Sequence, residues 1–296
     1  MSSFDNLKRN SGNNFDKLNK LAQNANSSYT NDDDGKYWKC ELDKAGNGYA
    51  VIRFLPSPSV DGDDGDPFVK YYDHGFQGPG GWYIEKSLTS IGEKDPMSEH
   101  NSQLWTSGIE SNKELARKQK RRLHFVSNVY VIKDSKNPEN EGKVFLFKYG
   151  KKIFEKLTQA MNPQFEDDVK IDPFDFWAGA NFKLKIRKVD GYQNYDLSEF
   201  DSPNPLFEDD KEMENVWKQE YSLKEIVDPS NFKSYDELKK RLDKVLGTST
   251  QETTQKLSTV QQMKMSAPPV AKVDEEVSVE EDDDLEYFKN LINDED

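Results

Sequence analysis

The chain has 296 residues, of which 34% are hydrophobic and 32% are charged, and its formal net charge is −14 at pH 7. The single cysteine, Cys40, excludes an intramolecular disulfide and a zinc site built mainly of thiolates. No N-terminal segment has the pattern of a signal peptide, and no run approaches the roughly 20 apolar residues of a membrane span. We therefore expect a soluble intracellular protein without a membrane partner.

The net charge conceals two segments of opposite sign. Residues 113–156 contain 13 Lys or Arg against 5 Asp or Glu, whereas residues 274–296 contain 12 acidic residues against Lys289 alone. Lys and Arg bind nucleic acids because they displace counterions from phosphates. The asymmetry favours a basic binding surface and an acidic tail that competes for it, with two solvated surfaces as the alternative.

Residues 1–35 are rich in Asn and Ser and predict an N-terminal basic arm outside the core. Lys8, Arg9 and Ser11 form a short basic patch within it. Apolar residues at helical spacing follow, namely Phe15, Leu18, Leu21 and Ala22. Such a composition is typical of a segment that a partner orders.

From residue 36 the pattern changes to short β-type runs separated by turn residues. Residues 49–56 (YAVIRFLP) predict a strand, and Asn47–Gly48 predicts a hairpin turn before it. Residues 87–112 lack periodicity and predict a loop-rich lobe. Further strands are predicted at 68–76, 82–84, 123–133, 143–149 and 181–189, and a helix at 151–161. The pattern favours a mainly β fold with added helices, built on a Greek-key or OB-like barrel.

The C-terminal part of the chain divides into three segments. Residues 199–246 are acidic and predict helices at 212–221 and 234–246, the second ended by Gly247. They complete a core over 36–246, which a Ser-, Thr- and Gln-rich linker (247–273) joins to the acidic tail (274–296). Within the tail, one apolar helical face predicts a partner-binding surface: Leu285, Phe288, Leu291 and Ile292.

Residues 113–195 interleave basic and aromatic side chains, which are the two components of a surface that binds single strands. The strand at 145–149 has a wholly aromatic face, and for any single Phe of this face core packing is the favoured interpretation. Lys183, Lys185 and Arg187 share a face and predict a cationic rail for phosphates. Tyr192 and Tyr195 lie in a turn and are the strongest candidates for base stacking. The remaining candidate DNA-binding residues are Lys118, Lys120, Arg121, Arg122, Phe125, Phe147, Lys148, Lys151 and Lys152.

Patterns of enzymes are weak in this sequence. The aspartates of residues 61–66 end at Pro67 without the later Glu of a calcium-binding hand. No segment has the GxxxxGK[ST] spacing of a phosphate-binding loop, and the three histidines fall in no catalytic motif. We therefore predict a protein that is not an enzyme, with a metal-dependent nuclease built from scattered carboxylates as the alternative.

Several long segments carry a resemblance to a known family. They are LDKAGNGYAVIRFLP (42–56), DHGF (73–76), GWYIE (81–85), KDSKNPENEGKVF with FKYGKKIF (133–154) and WAGANFKLKIRKVDGYQNYD (177–196). With them the chain resembles, along its whole length, the helix-destabilising single-stranded-DNA-binding proteins of T-even-type bacteriophages, the gene thirty-two family. The resemblance implies an OB-fold core that cooperatively coats and protects single-stranded DNA in replication, recombination and repair.

The resemblance also implies roles for particular residues. Lys8, Arg9 and Ser11 match the family's self-association segment, and residues 118–122 match a basic segment beside the DNA cleft. Phe125, Phe147, Tyr192 and Tyr195 fall on aromatic positions that line that cleft. The implied partners are single-stranded DNA, other copies of the chain, and replication proteins such as DNA polymerase, helicase loader and primase, in the cytoplasm of an infected bacterium. An RNA-binding regulator that uses the same cleft as a translational repressor is the alternative.

One departure from the family concerns zinc. The family holds zinc with one His and three Cys, and the matching positions here are His74, Ser87, Met97 and His100. Neutral Ser and Met side chains cannot replace thiolates, and two His ligands alone make a poor structural site. We therefore predict that the chain binds no metal and no other cofactor.

Overall fold

The computed structural model describes residues 35–165 and 167–248. The predicted self-association patch, most of the linker and the whole acidic tail lie outside the described residues. Nine strands are described: β1 (Tyr37–Trp38), β2 (Gly48–Phe54), β3 (Val69–Gly78), β4 (Gly81–Lys86), β5 (Arg122–Asp134), β6 (Val144–Tyr149), β7 (Phe182–Val189), β8 (Tyr192–Asn194) and β9 (Glu199–Phe200). Five α-helices accompany them: α1 (Pro96–Thr106), α2 (Glu110–Gln119), α3 (Lys151–Met161), α4 (Asp210–Trp217) and α5 (Tyr235–Leu246).

The strand β5 is the centre of the sheet. It pairs in antiparallel fashion with β2, β3 and β6, and its residues 123–129 are all buried. A continuous buried run of this kind requires cover on both faces of a strand. The other pairs extend the sheet: β1 lies parallel to β6, β4 pairs with β3, and β7 pairs with β2, β8 and β9.

The described strands form one mixed sheet that is not closed into a barrel. The prediction of a mainly β fold with added helices is confirmed in this coarser form. The sheet nevertheless curls around Phe54 of β2, whose ring centre lies 5.6–6.2 Å from those of Tyr149 and Phe147 on β6 and 5.7 Å from that of Phe182 on β7. On the opposite face, Tyr71, Val126 and Leu146 pack against Leu223 and Ile226.

The predicted strands and the helix α3 are confirmed nearly to the residue, whereas the hairpin at Asn47–Gly48 is wrong. The Asp43 carboxylate accepts hydrogen bonds from the backbone N–H groups of Ala45 and Asn47, which closes a local turn. The strand that follows this turn pairs with β5 and β7 instead of returning along the preceding segment. The turn signal was therefore correct, but the partner strands are distant in sequence.

The predicted loop-rich lobe at 87–112 is also wrong, because it contains α1 and the start of α2. Asp95 caps α1 by accepting hydrogen bonds from the N–H groups of Met97 and Ser98, and Pro96 begins the helix. The buried face of α1 includes the polar residues Ser98, Asn101 and Ser102. A helix that buries polar side chains has no apolar periodicity, which explains why the sequence pattern missed it.

The acidic segment 199–246 contains both predicted helices. The first, α4, is shorter than expected and ends at Trp217. The second, α5, begins with a capping box between Ser234 and Glu237 and ends at Gly247, whose φ of 72° is left-handed. Among the residues that the structure describes, no helix has the length and apolar character that crossing a membrane would require.

A buried carboxyl group beside the sheet leads to a prediction about stability. Glu220 is only 6% exposed, and its carboxyl oxygens accept no hydrogen bond from the described residues. Burial, and then the charge of Asp61, raise the pKa of Glu220 well above its usual range. The folded state therefore favours the protonated form, and its stability falls as the pH rises above about 4.5, the range in which the unfolded carboxyl ionises.

We expect Glu220→Gln to raise the thermal midpoint at pH 8 by about 2 °C or more, because the amide cannot ionise. The gain should disappear at pH 4, where the carboxyl is protonated in both states. Calorimetry at the two pH values measures the difference. Glu225→Gln removes the same charge from an exposed position and serves as the control. An equal gain at both pH values would contradict the explanation.

Candidate nucleic-acid interface

A basic edge forms where β5 begins and β6 ends. The two strands run side by side in opposite directions, with Phe125 opposite Tyr149, so the start of one lies beside the end of the other. The structure thereby brings together two predicted groups of cations that are about 30 residues apart in the sequence. The basic edge comprises Lys118, Lys120, Arg121, Arg122, Lys148, Lys151 and Lys152.

The segment from α2 to β5 is attached to the lobe through Gln119. This residue is buried, and its carbonyl oxygen accepts a hydrogen bond of 2.9 Å from Nδ2 of Asn101. Nδ1 of His74 lies 3.2 Å from the same oxygen. Because the backbone is held at Gln119, the flanking Lys118 and Lys120 remain at the surface, the first exposed and the second half-buried.

Arg121 and Arg122 turn to opposite faces of the sheet. Cζ of Arg121 lies 4.0 Å from the centre of the Tyr72 ring, which is a close cation–π contact. Nη2 of Arg122 lies 3.4 Å from the buried Asp73 carboxylate. The Arg122 guanidinium also lies over Gly75, where an added Cβ would be 1.7 Å from Nη2. Glycine at this position therefore allows the contact between Arg122 and β3.

Lys148 and Arg122 act together on a buried histidine. Burial first, and then the charges of Lys148 and Arg122, lower the pKa of His124 well below its usual range. His124 is therefore neutral at physiological pH, although Asp73 lies 3.8 Å away. The positive charge on this face of the basic edge consequently comes from Arg122 and Lys148 and not from the histidine.

The helix α3 extends the basic edge. Lys151 and Lys152 occupy its first turn, directly after Gly150, and this turn contains no acidic residue. Cations at a helix N-terminus are unfavourable for the helix because they add to the positive end of its dipole. The arrangement concentrates positive potential at one end of α3, as a surface that attracts anions requires.

The cations of the predicted rail on β7 are held in ion pairs. Its three cations do share one face, as the alternation predicted, but each is paired with a carboxylate of the segment 196–201. Lys183 lies 2.9 Å from Asp201, Lys185 lies 2.7 Å from Glu199, and Nε of Arg187 donates to Asp196 at 3.2 Å. The rail is a row of ion pairs, so phosphates have no uncompensated cation to bind there.

Two predicted DNA-binding aromatic residues lie in the core. Phe125 is 0% exposed and its ring stacks on that of Phe154, with centres 3.9 Å apart. Phe147 is 5% exposed and its ring centre lies 5.2 Å from that of Trp38. Both side chains fill the inner side of the curled sheet, where a base cannot reach them without opening the core.

The two predicted tyrosines lie nearer the surface. A two-residue turn, Asp190–Gly191, joins β7 to β8, and its φ values of 52° and 92° are those of a hairpin turn. Tyr192 follows this turn and is 54% exposed. Tyr195 is half-buried and donates a hydrogen bond from its hydroxyl to Gln193. Tyr192 therefore presents an open aromatic face, and Tyr195 a partly covered one.

Sequence reasoning missed several residues near the basic edge. Lys70 and Tyr72 of β3 lie beside Arg121. On the other face of the sheet, which carries Arg122, Trp82 and Ile84 of β4 are more than 40% exposed. Alternation along residues 68–76 indicates that Lys70 and Tyr72 share one face of their strand. It does not reveal which strand becomes the neighbour of the basic segment.

His74, one of the positions that match the family's zinc ligands, faces a buried carboxylate. Nε2 of His74 lies 3.3 Å from Oδ1 of Asp95, and both side chains are fully buried. Burial acts to raise the pKa of Asp95, but hydrogen bonds from His74 and from the Ser98 and Leu88 N–H groups lower it to about 2.

The donor set at these positions does not fit a zinc ion. Ser87 and Met97 are buried without a thiolate, and His100 is half-buried. Within residues 35–165 and 167–248, no three His, Cys, Asp or Glu side chains converge as metal ligands.

Comparisons with known proteins agree with the resemblance in the sequence. A family model described as gp32 DNA binding protein like matches residues 46–246. The single-stranded DNA-binding protein of Enterobacteria phage T4 is 38% identical over 233 residues, which are 76% of this chain and 75% of that protein. The protein of the same name from Enterobacteria phage T2 is 38% identical over 237 residues, 78% of this chain and 76% of that protein.

The buried pair of His74 and Asp95 leads to a prediction about the lobe. Removal of one partner leaves the other buried without its polar contact, which typically costs about 1–3 kcal/mol and more for a charged group. We expect Asp95→Asn and His74→Gln each to lower the free energy of unfolding by about 2 kcal/mol or more. The double variant should lose less than the sum of the two, because the pair is lost only once.

Urea denaturation of the four proteins at pH 7 gives the coupling energy of this cycle. Glu93→Gln, an exposed change in the same lobe, is the control. Strictly additive losses would show that the two side chains do not stabilise the lobe as a pair.

Proposed function

The chain belongs to the family described as gp32 DNA binding protein like, and from that premise we propose that it binds single-stranded DNA. It coats and protects exposed strands during phage DNA replication, recombination and repair, in the cytoplasm of an infected bacterium. It is not an enzyme. The observation that carries the proposal is the family match over residues 46–246, which contains the basic edge and both surface tyrosines.

The proposed mechanism assigns different tasks to the cations and to the aromatic rings. The cations of the basic edge hold phosphates, and Tyr192 provides a face on which a base stacks. Phosphate contacts and stacking do not read base edges, so binding is expected to show little sequence preference. Tyr195 adds a second, partly covered ring. The cations of β7 contribute only where a phosphate displaces their carboxylate partners.

α3 joins these two parts of the proposed site. Lys151 and Lys152 lie in its first turn, and Nζ of Lys156, one turn further along, donates a hydrogen bond of 2.9 Å to the Asp196 carbonyl oxygen beside Tyr195. A strand that follows this helix would pass from phosphate contacts to the tyrosines. The curled sheet that carries both parts is proposed to be an open relative of the OB-fold, with Phe54 inside it.

Two further parts of the proposal concern segments outside the described residues. The N-terminal arm, with Lys8, Arg9 and Ser11, would bind neighbouring copies of the chain and make the coating cooperative. The acidic tail would recruit replication proteins such as DNA polymerase, helicase loader and primase through Leu285, Phe288, Leu291 and Ile292.

We also propose that the chain needs no zinc or other cofactor. The support is the donor set described above, in which Ser87 and Met97 stand where thiolates would be required. Without zinc, the contact between His74 of β3 and Asp95 of the lobe connects the two. Elemental analysis of the purified protein tests this directly, and one zinc per chain would contradict it.

Titration onto homopolymer single strands at several salt concentrations tests the proposed function. The logarithm of the binding constant should fall with the logarithm of the salt concentration, by about 0.7 for each phosphate neutralised. Tyr192→Ala should weaken binding by about 1–3 kcal/mol, the range for one lost stack, whereas Tyr192→Phe keeps the ring and should bind normally.

The same titration separates the rival functions. Weaker competition by RNA than by DNA strands of equal length is expected, and preferred binding of RNA would favour the translational repressor. Binding that does not depend on salt would contradict the proposal.

Deletion of residues 274–296 tests the proposed role of the tail. Removing 12 acidic residues takes away a competitor for the basic edge, so single-stranded DNA should bind more tightly. Pull-down of replication proteins should fail at the same time. Replacement of the four apolar tail residues by Ser keeps the charge, and it should abolish recruitment without tightening DNA binding. A deletion that changes neither property would contradict this role.

A further inference from the structure

Lys70 and Tyr72 form a small surface beside the basic edge that the sequence did not indicate. Both lie on β3, two residues apart, and their partners on β5 are Phe125 and Leu123. Residues two apart in a strand point to the same face, so Lys70 and Tyr72 stand together above the inner side of the sheet. Both side chains are half-buried. Arg121 reaches the same place from the start of β5, where its guanidinium lies over the Tyr72 ring.

The charge of Lys70 is not compensated within the described part of the chain. Its ammonium group makes no ion pair or hydrogen bond with any residue of 35–165 and 167–248. Burial first, and then the positive charge of Arg121, lower the pKa of Lys70. The ammonium group of Lys70 is thus held in a partly buried place near a second cation, which is unfavourable for its charged form.

Other cations on strands of the same sheet have carboxylate partners. Arg122 has Asp73 at 3.4 Å, Lys183 has Asp201 at 2.9 Å and Lys185 has Glu199 at 2.7 Å. Lys70 alone of these four strand cations lacks a carboxylate among the described residues. An anion that arrives from outside would neutralise Lys70 and reduce its repulsion from Arg121.

We propose that Lys70 and Arg121 form a subsite for one phosphate of a bound DNA strand, with Tyr72 as the residue that positions the arginine. This inference rests on the proposed function and adds a specific contact to it. Stacking on Tyr72 restricts the guanidinium plane, so less conformational entropy is lost when its N–H groups bind phosphate oxygens. Lys70 supplies a second charge on a flexible stem. The subsite fixes the register of the strand and reads no base.

The test compares Lys70→Gln with the matched control Lys133→Gln, which removes the same charge from an exposed position near the other end of β5. The probe is an oligothymidylate of about 8 nucleotides, within the site size of one OB-type domain, so that cooperativity does not enter. Lys70→Gln should weaken binding several-fold at low salt and reduce the log–log salt slope by about 0.7, the value for one phosphate. Lys70→Arg should restore the slope, and Lys133→Gln should leave it unchanged.

Thermal unfolding of the same variants distinguishes binding from folding. Lys70→Gln should unfold at the same temperature as the parent chain or higher, because it removes an uncompensated, half-buried charge. Weaker DNA binding without loss of stability is the signature of a ligand contact. Tyr72→Leu should weaken binding by releasing Arg121, whereas Tyr72→Phe keeps the ring contact and should bind normally.

The outcomes separate this inference from the function on which it rests. If the parent chain does not bind the oligonucleotide in a salt-dependent manner, the proposed function itself is wrong. If the parent chain binds but Lys70→Gln has the same slope as Lys133→Gln, the function stands and the subsite is wrong. A lower unfolding temperature for Lys70→Gln would show that the residue supports the fold, and this too would overturn the subsite.

Discussion

The burial of β5 on both faces is the constraint on which the rest of the structure depends. Seven consecutive residues, 123–129, are covered, with aromatic rings on one side and Leu223 and Ile226 on the other. No charged side chain can be accommodated in such a strand without a partner. The cations of this region are therefore displaced to the beginning of β5 and the end of β6, which lie side by side. The basic edge is a consequence of the core.

Charge compensation then decides which cations are available to a ligand. The fold provides carboxylates for Arg122 and for the three cations of β7, and these contacts hold strands and loops together. Lys70, which lies beside Arg121, has no carboxylate partner among the described residues. A count of Lys and Arg along the chain cannot make this distinction, because each carboxylate comes from another strand or loop.

The lobe between β4 and β5 is connected to the sheet by buried polar contacts. His74 of β3 contacts both Asp95, which caps α1, and the carbonyl group of Gln119, which ends α2. One histidine thus connects the sheet to both helices of the lobe. The same residues determine the direction of the segment 118–122, so the lobe positions the basic edge. A polar, buried arrangement of this kind is sensitive to the loss of any one member.

The sequence by itself determined the local features of this protein: the six longest strands, the helices α3 and α5, and the segregation of basic and acidic segments. Each depends on neighbouring residues, whose periodicity and turn chemistry are visible in the chain. Only the tertiary structure decided that Phe125 and Phe147 belong to the core, that the β7 cations are paired, that α1 has a polar buried face and that Lys70 lies beside Arg121. Alternation shows which residues share a face, but the cover of that face and the neutralisation of its charges come from segments that are distant in sequence.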